Sequence, residues 1–304
     1  MANDPDLVRQ LVADGYCPVE CSFGAESIVD DLVMDHHGCY GQLESVALRA
    51  YRDHAGARSD DPRFVVAGHA DADATFAVAA LMGLLPQGLL PLAQTVARMD
   101  SDPIGVDPAT LPMGSLWLLW HLLRGPARDD MGLATGVGLW RSLTSIDPVL
   151  LQPLLDAAVE VAQQRQQRQL DDLARNGQSL AAGVGFISTA DSSGFNVWYQ
   201  RQPDHSADSL AGWRHPLVVH HHPHHGTVTL GCPNAAVARE LLGPGGLHNL
   251  FPLLGPGWGG RDCVGGSPRQ DRLSAAEARE VAEKVVAVAV LRQALQDGES
   301  KTTF

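Results

Sequence analysis

The stretch FVVAGHADADATFAVAALMGLL, residues 64–85, most tightly limits what this chain can fold into. A short β-branched run leads to a polar tip, and then to a long apolar stretch of the kind a buried helix shows. Strand, turn and buried helix in series form the repeating unit of a parallel α/β sheet. Ligands of such sheets bind beyond the carboxyl ends of the strands. The tip places His69, Asp71 and Asp73 at alternate positions. Alternate residues of an extended segment share a face, so three metal-type side chains can converge there. Imidazole and carboxylate together suit manganese or zinc, and carboxylate-rich sets favour manganese and magnesium. The plainer reading of the same residues is a turn closed by an aspartate helix cap.

A second cluster lies upstream. SIVDDLVMDHHG (27–38) reads as a short apolar strand ending at Asp35, His36 and His37. A helical stretch follows over 39–54. A third acidic pair, Asp100 and Asp102, stands before a proline loop in MDSDP. Segment 115–125 is an apolar helix whose His121 reads as a packing residue. Segment 148–177 reads as a long helix ending at Asn176-Gly177, suited to joining two domains. Beyond it the texture turns to short strands. Residues 181–200 predict two strands about a turn at 191–194, and HPLVVHHHPHHGTVTLG predicts a hairpin turning at Pro223–Gly226. Its histidines, His220, His221, His222, His224 and His225, alternate faces and suit a surface hairpin at a subunit contact. GPGWGGRDCVGGSPR (255–269) is a glycine-rich loop, and a capping box of Ser274 and Glu277 opens a final helix over 273–295.

The 304 residues leave room for one or two domains. A net charge of −13 disfavours a long nucleic acid, and no cluster of basic residues offers it a groove. Only two lysines occur, Lys284 and Lys301; the arginines suit bidentate phosphate contacts. No long uncharged apolar run predicts a membrane span, and the start MANDPDLVRQ does not read as a secretory signal. The expectation is a cytoplasmic protein. The five cysteines, Cys17, Cys21, Cys39, Cys232 and Cys263, match no disulfide framework or zinc-finger spacing and read as buried thiols.

HADADAT resembles the first motif of the DHH phosphoesterase superfamily, with the spacing of its RecJ-type exonucleases. MDHH (34–37) resembles the motif that names the superfamily, and MDSDP its second motif, a lone aspartate after a strand. LLGPGWGGRDCVGGSPR resembles the glycine-rich signature of the DHH-associated C-terminal domain, which holds substrate phosphate. The motif order departs from the family, because Asp-His-His precedes the other two; this implies a permuted or rearranged catalytic domain. Arg261 stands where the family usually has a histidine. Asp147 in SLTSIDP is the nearest match to the fourth motif.

The resemblance implies an α/β fold. A parallel-sheet DHH-like catalytic domain, residues 1–147, is joined by a linker helix, 148–178, to a smaller α+β substrate-binding domain, 179–304. It implies a metal-dependent phosphoesterase acting on a small nucleotide, short oligonucleotide or phosphoanhydride. His36, His69, Asp71, Asp73 and Asp100 are the expected metal ligands. Asp35 would bridge or orient, and His37 would assist the leaving group. Gly259, Gly260, Arg261, Gly265, Gly266, Ser267 and Arg269 would hold phosphate, through backbone N–H groups and arginines. The expected cofactor is a divalent cation, Mn2+ first, with Mg2+ and Zn2+ as alternatives. The expected partners are a small phosphorylated substrate and a second copy of the chain, without long nucleic acid or membrane. Two rival readings remain, a non-catalytic nucleotide- or metal-binding regulator on a degenerate DHH scaffold and a metal-dependent hydrolase of a non-phosphate substrate.

Overall fold

A computed structural model of the chain describes residues 4–23, 26–27, 34–36, 43–60, 62–67, 70–101, 103, 106–125, 132–268 and 271–300. The chain divides into two compact units, Met1–Ala162 and Gln163–Phe304. The division falls inside the long helix. Together the described elements make a mixed α/β protein.

In unit 1, α1 (Pro5–Ala13) starts from the N-cap Asp4 with proline in its first turn. Strand β1 (Cys17–Val19) is followed by the short pair β2 (Ser22–Phe23) and β3 (Glu26–Ser27). Then come α2 (Val46–Asp53), β4 (Phe64–Val66), α3 (Ala72–Leu81), α4 (Leu90–Ser101), α5 (Gly114–Arg124) and α6 (Gly132–Ser145). Strands β1 and β4 pair in parallel, with Val19 opposite Val66. Among the described residues this is the parallel sheet of unit 1; β2 and β3 form a separate antiparallel pair. The strand expected before Asp35 falls mainly on 28–33, outside the described residues. The helix expected over 39–54 begins only at Val46, and 39–42 also lie outside.

Every residue of α3 is buried, as its all-round apolar sequence requires. Helices α2, α4 and α6 pack around it. Gly136 lets α6 approach closely, since a Cβ there would stand 2.5 Å from Thr75 Cγ2. Trp120 and Trp140 stack with ring centroids 5.0 Å apart. Trp120 Nε1 donates to the Gly136 carbonyl (3.0 Å), and Trp140 Nε1 to Thr75 Oγ1 (3.1 Å). The first turn of α3 is therefore fixed from below by the core.

Helix α7 (Pro148–Asn176) runs from unit 1 into unit 2. Unit 2 continues with β5 (Gly177–Ser179), β6 (Val184–Ser188), α8 (Phe195–Trp198), β7 (Leu217–His222), β8 (Thr227–Gly231), α9 (Ala235–Leu242) and α10 (Phe251–Leu254). It ends with β9 (Gly259–Gly260), β10 (Val264–Gly266) and α11 (Ala275–Ser300). The six strands form one sheet in the order β5-β6-β7-β8-β10-β9. The β6–β7 pair is parallel and the others antiparallel. Helices α9 and α11 bury Ala238, Leu241, Ala278, Ala282 and Val285 with Val184, Leu217, Val219 and Leu230 of the strands. The capping box forms, with the Ser274 N–H and hydroxyl both donating to Glu277 Oε2 at 2.7 Å.

Three expectations for unit 2 need correction. The predicted second strand about 195–200 is the short helix α8, where Trp198 and Tyr199 turn inward to be buried. The histidine run is not a surface hairpin at its root. Strand β7 lies inside the sheet between β6 and β8, so His220 and His221 are buried. The glycine-rich loop is partly regular, for Gly259, Gly260, Gly265 and Gly266 are the rungs of the β9–β10 hairpin.

Candidate metal centre

The site of unit 1 forms where β1 and β4 end. Val19 and Val66 are the last paired residues, and the next residues along are Glu20 and Ala67. The Ala67 N–H donates to the Glu20 carbonyl at 3.3 Å, and the Glu20 N–H donates to the Met34 carbonyl at 2.7 Å. Glu20 holds a left-handed backbone with φ 50, a strained conformation for a residue with a side chain. Met34 is buried in the core. Its side chain and carbonyl thus anchor the segment that carries Asp35 and His36. The Arg49 guanidinium adds a 2.6 Å bond to the Asp35 carbonyl.

Three carboxylates meet one ring nitrogen. His36 Nε2 lies 3.1 Å from Glu20 Oε1, 3.3 Å from Asp73 Oδ2 and 3.1 Å from Asp100 Oδ2. Ligand atoms of Glu20, His36 and Asp73 all fall within 4.8 Å of one another. One nitrogen carries at most one hydrogen, so three such approaches cannot all be hydrogen bonds. They match the edges of a coordination shell. Ligands about 2.0–2.2 Å from one cation, at right angles or tetrahedral, are about 2.8–3.6 Å apart.

The individual side chains are held from outside the cluster. Asp73, 1% exposed, stands in the first turn of α3. Its Oδ1 accepts from the Ser45 hydroxyl and from Ala47 N–H (3.2 Å), and its Oδ2 from Val46 N–H (3.2 Å). It therefore caps α2 from a distance of 27 residues in sequence. Asp71 is the N-cap of α3, with Oδ1 accepting from Ala74 N–H at 3.0 Å. Asp35 is fully buried and accepts from the Ser22 hydroxyl at 2.7 Å. Burial, then repulsion from Asp71, Asp73, Asp100 and Asp35, holds the Glu20 carboxyl well above the ordinary carboxylate range. So many acids beside the one imidazole that the described residues place there call for a cation. The donor set of one imidazole and several carboxylate oxygens fits a hard or borderline divalent ion.

The structure thus brings His36, Asp73 and Asp100 together, and adds Asp71 and Asp35 to their electrostatic surroundings. His37, His69, Asp102 and Arg269 lie outside the described residues. Asp100 arrives differently from the expectation. It stands in the last turn of α4, not after a strand, because Leu92, Ala93, Thr95 and Val96 bury one face of a helix. Asp147 is an exposed cap of α7, with Oδ1 accepting from Val149 N–H at 2.8 Å.

Sequence reasoning missed two residues. Glu20, in CPVEC, is a lone acid with no ligand spacing. Its one signal is its place after an apolar triplet, the same context that drew attention to His69. Arg124, at the end of α5, lies over the Trp120 ring at 5.2 Å and has a buried Nε with no partner among the described residues. Burial lowers its pKa and Asp71 pulls it back up. His121 is exposed and rests on Trp117, with ring centroids 4.1 Å apart.

In unit 2 the predicted phosphate-binding residues are held as follows. Arg261 is exposed, and its N–H closes the hairpin turn on the Val264 carbonyl at 2.7 Å. The Ser267 hydroxyl accepts from Val228 N–H at 3.1 Å, and its own N–H donates to the Val228 carbonyl at 2.9 Å. Gly265 is required by packing, since a Cβ there would lie 2.4 Å from Phe251 Cζ. Gly260, at φ 156, faces Gly265 just as closely.

No protein family matches the chain, and no curated protein does. Among solved structures it is similar to a pGpG-specific phosphodiesterase, PggH from Vibrio cholerae, at 12% identity and a TM-score of 0.45. The match covers 93% of this chain and 88% of that one. No residue role is carried from that protein to this chain. Among the described residues no helix is long and apolar enough to cross a membrane.

Proposed function

We propose that the chain is a metal-dependent phosphoesterase acting on a small nucleotide, short oligonucleotide or phosphoanhydride. The observation that supports this most is the meeting of Glu20, Asp73 and Asp100 on His36 Nε2. It lies beyond the carboxyl ends of a parallel strand pair, where α/β proteins place their ligands. The DHH-like motifs supply the choice of phosphate chemistry.

Glu20, His36, Asp73 and Asp100 would hold the cation, with Asp71 beside them and His69 as a further ligand from the same strand tip. A divalent ion bound there neutralises charge on a phosphoryl group and lowers the pKa of water. The chain's own residues do the positioning. Asp73 is locked by three donors on α2, so its one remaining lone pair, on Oδ2, points one way. Asp35, oriented by the Ser22 hydroxyl, bridges or orients, and His37 assists the leaving group. Arg124, a neighbour of Asp71, can receive a phosphate oxygen. Residues 1–147 would carry catalysis and 148–178 would link. Residues 179–304 would bind substrate phosphate through Gly259, Gly260, Arg261, Gly265, Gly266, Ser267 and Arg269. The charge of −13 sets the preference for small substrates over long strands.

The test is elemental analysis of the purified protein, then hydrolysis of mononucleotides, dinucleotides and an oligonucleotide length series with Mn2+, Mg2+ or Zn2+. Bound metal and faster turnover of the short substrates are expected. Asp100→Asn, which alters a partly exposed acid, should lose both metal and turnover while keeping its circular dichroism. Metal without turnover of any substrate would favour the regulator. A protein that binds no divalent cation would sink the proposal.

A further inference from the structure

We propose that Arg49 is a positioning residue of the metal centre: its guanidinium holds His36 against Asp73 by tying the segment that carries His36 to the start of α2. This rests on the metal-dependent reading above, and adds to it a residue that acts through a ligand and not on the cation. The Arg49 side chain folds back over the start of its own helix. Its Nε donates to the Glu44 carbonyl at 2.8 Å and its Nη2 to the Asp35 carbonyl at 2.6 Å. Asp35 is the residue before His36, and Glu44 stands just before α2. One planar group therefore joins two backbone segments at fixed directions. The flexible ammonium of a lysine cannot reproduce that fork.

A cation stands there against two forces. The start of a helix carries partial positive charge, and the guanidinium lies over that end of α2. Arg49 is also half-buried. Burial lowers its pKa and Arg52 adds to the lowering, while Asp73, Asp35 and Glu44 pull it back up. The two acids with the strongest pull, Asp73 and Asp35, belong to the centre. The charge of Arg49 is thus held by the acids it serves, and two of its N–H groups go to backbone carbonyls.

The same helix end holds the facing ligand. Asp73 accepts from the Ser45 hydroxyl and from the N–H groups of Val46 and Ala47. Other contacts place the His36 segment relative to the strands. The Met34 carbonyl accepts from Glu20 N–H at 2.7 Å, and the Ser22 hydroxyl donates to Asp35 Oδ2 at 2.7 Å. Arg49 relates that segment to α2, and through α2 to Asp73. The 3.3 Å between His36 Nε2 and Asp73 Oδ2 depends on both holds. Groups that orient metal ligands from behind typically control about 10–100-fold of metal affinity.

The test titrates the full chain with Mn2+ and reads the free ion by electron paramagnetic resonance, which needs no substrate. Arg49→Lys keeps the charge and loses the fork, and should bind Mn2+ about tenfold more weakly than wild type. Arg49→Ala should lose more. Low-millimolar guanidinium should restore most of its affinity, and ammonium at the same concentration should not. The rescue separates positioning from a general loss of fold, because a cation of the wrong shape would leave the defect in place. Wild-type affinity in Arg49→Lys would overturn the proposal, whether or not Arg49→Ala folds. So would equal rescue of Arg49→Ala by ammonium, or no rescue by guanidinium. A wild-type protein that binds no Mn2+, Mg2+ or Zn2+ would be a different result, and would remove the metal centre itself.

Discussion

Replacing Glu20 by glutamine exchanges a buried carboxyl for a neutral isostere, and should flatten the pH dependence of stability of the metal-free protein. Burial and four neighbouring acids hold the Glu20 carboxyl well above its ordinary value of 4.5. Below about pH 4.5 the folded and unfolded chains both carry this proton, and its contribution is fully present. Above that, the unfolded chain releases the proton while the folded chain keeps it. Stability then falls with rising pH until the folded carboxyl itself ionises, and the loss is complete beyond that point. The steepest slope for one proton is about 1.4 kcal/mol per pH unit. In a unit of this size 1 kcal/mol moves Tm by about 2–4 °C. Between pH 5 and pH 6 the Tm of the wild type in EDTA should therefore fall by up to about 3–5 °C more than that of Glu20→Gln. The strained φ of residue 20 is common to both proteins and cancels. Adding Mn2+ should raise the Tm of the wild type more than that of the variant, because a ligand at 100 times its Kd stabilises by about 2.7 kcal/mol and the variant has lost a ligand oxygen. Differential scanning calorimetry across pH 4.5–8, with EDTA and with Mn2+, reads both effects. Parallel profiles in EDTA would refute the buried acidic cluster, and an equal gain from Mn2+ would remove Glu20 from the metal site.

Three further outcomes follow from particular contacts. Asp73→Asn places an amide where Val46 and Ala47 now donate to a carboxylate; it should cost about 1–3 kcal/mol and speed amide exchange at the start of α2, besides abolishing turnover. Gly265→Ala drives a methyl into Phe251 and the Gly259 carbonyl, and should destabilise the protein by about 1–3 kcal/mol in denaturant melts without changing metal content. Arg261→Ala removes an exposed cation from the β9–β10 turn, and should raise KM for small nucleotides about tenfold, close to 1.4 kcal/mol, with metal content unchanged; an unaltered KM would take Arg261 out of substrate binding.

Much of this arrangement was legible where a local pattern had one outcome. The buried helix after the 64–67 strand, the long helix ending at Asn176, the hairpin turning at 223–226 and the Ser274 capping box all follow from spacing within a few residues. What stayed hidden depends on pairing between distant segments. Glu20 becomes part of the centre only because β1 lies parallel to β4 and brings its end beside Ala67; nothing in CPVEC encodes that neighbour. Asp100 was expected after a strand because its motif suggested one, whereas the spacing of Leu92, Ala93 and Val96 makes it helical. Alternation of faces along the histidine run suits a hairpin with one face in solvent, but both faces of its root are covered. The position of β7 inside a six-stranded sheet is a property of strand order, which a single hairpin's sequence does not carry.

The two readings of HADADAT, metal ligands or helix cap, are not alternatives in the folded chain. A carboxylate has two oxygens with about four acceptor directions. Asp73 commits Oδ1 to Ser45 and Ala47, and Oδ2 to Val46 on one side and His36 on the other. The N-terminus of α2 brings partial positive charge against this acid. It offsets part of the cost of burying Asp73 among Glu20, Asp35 and Asp100 before any cation arrives. The capping contacts thus let an acidic centre fold without its metal, and they leave the one remaining lone pair of Asp73, on Oδ2, aimed at the place where His36, Glu20 and Asp100 converge.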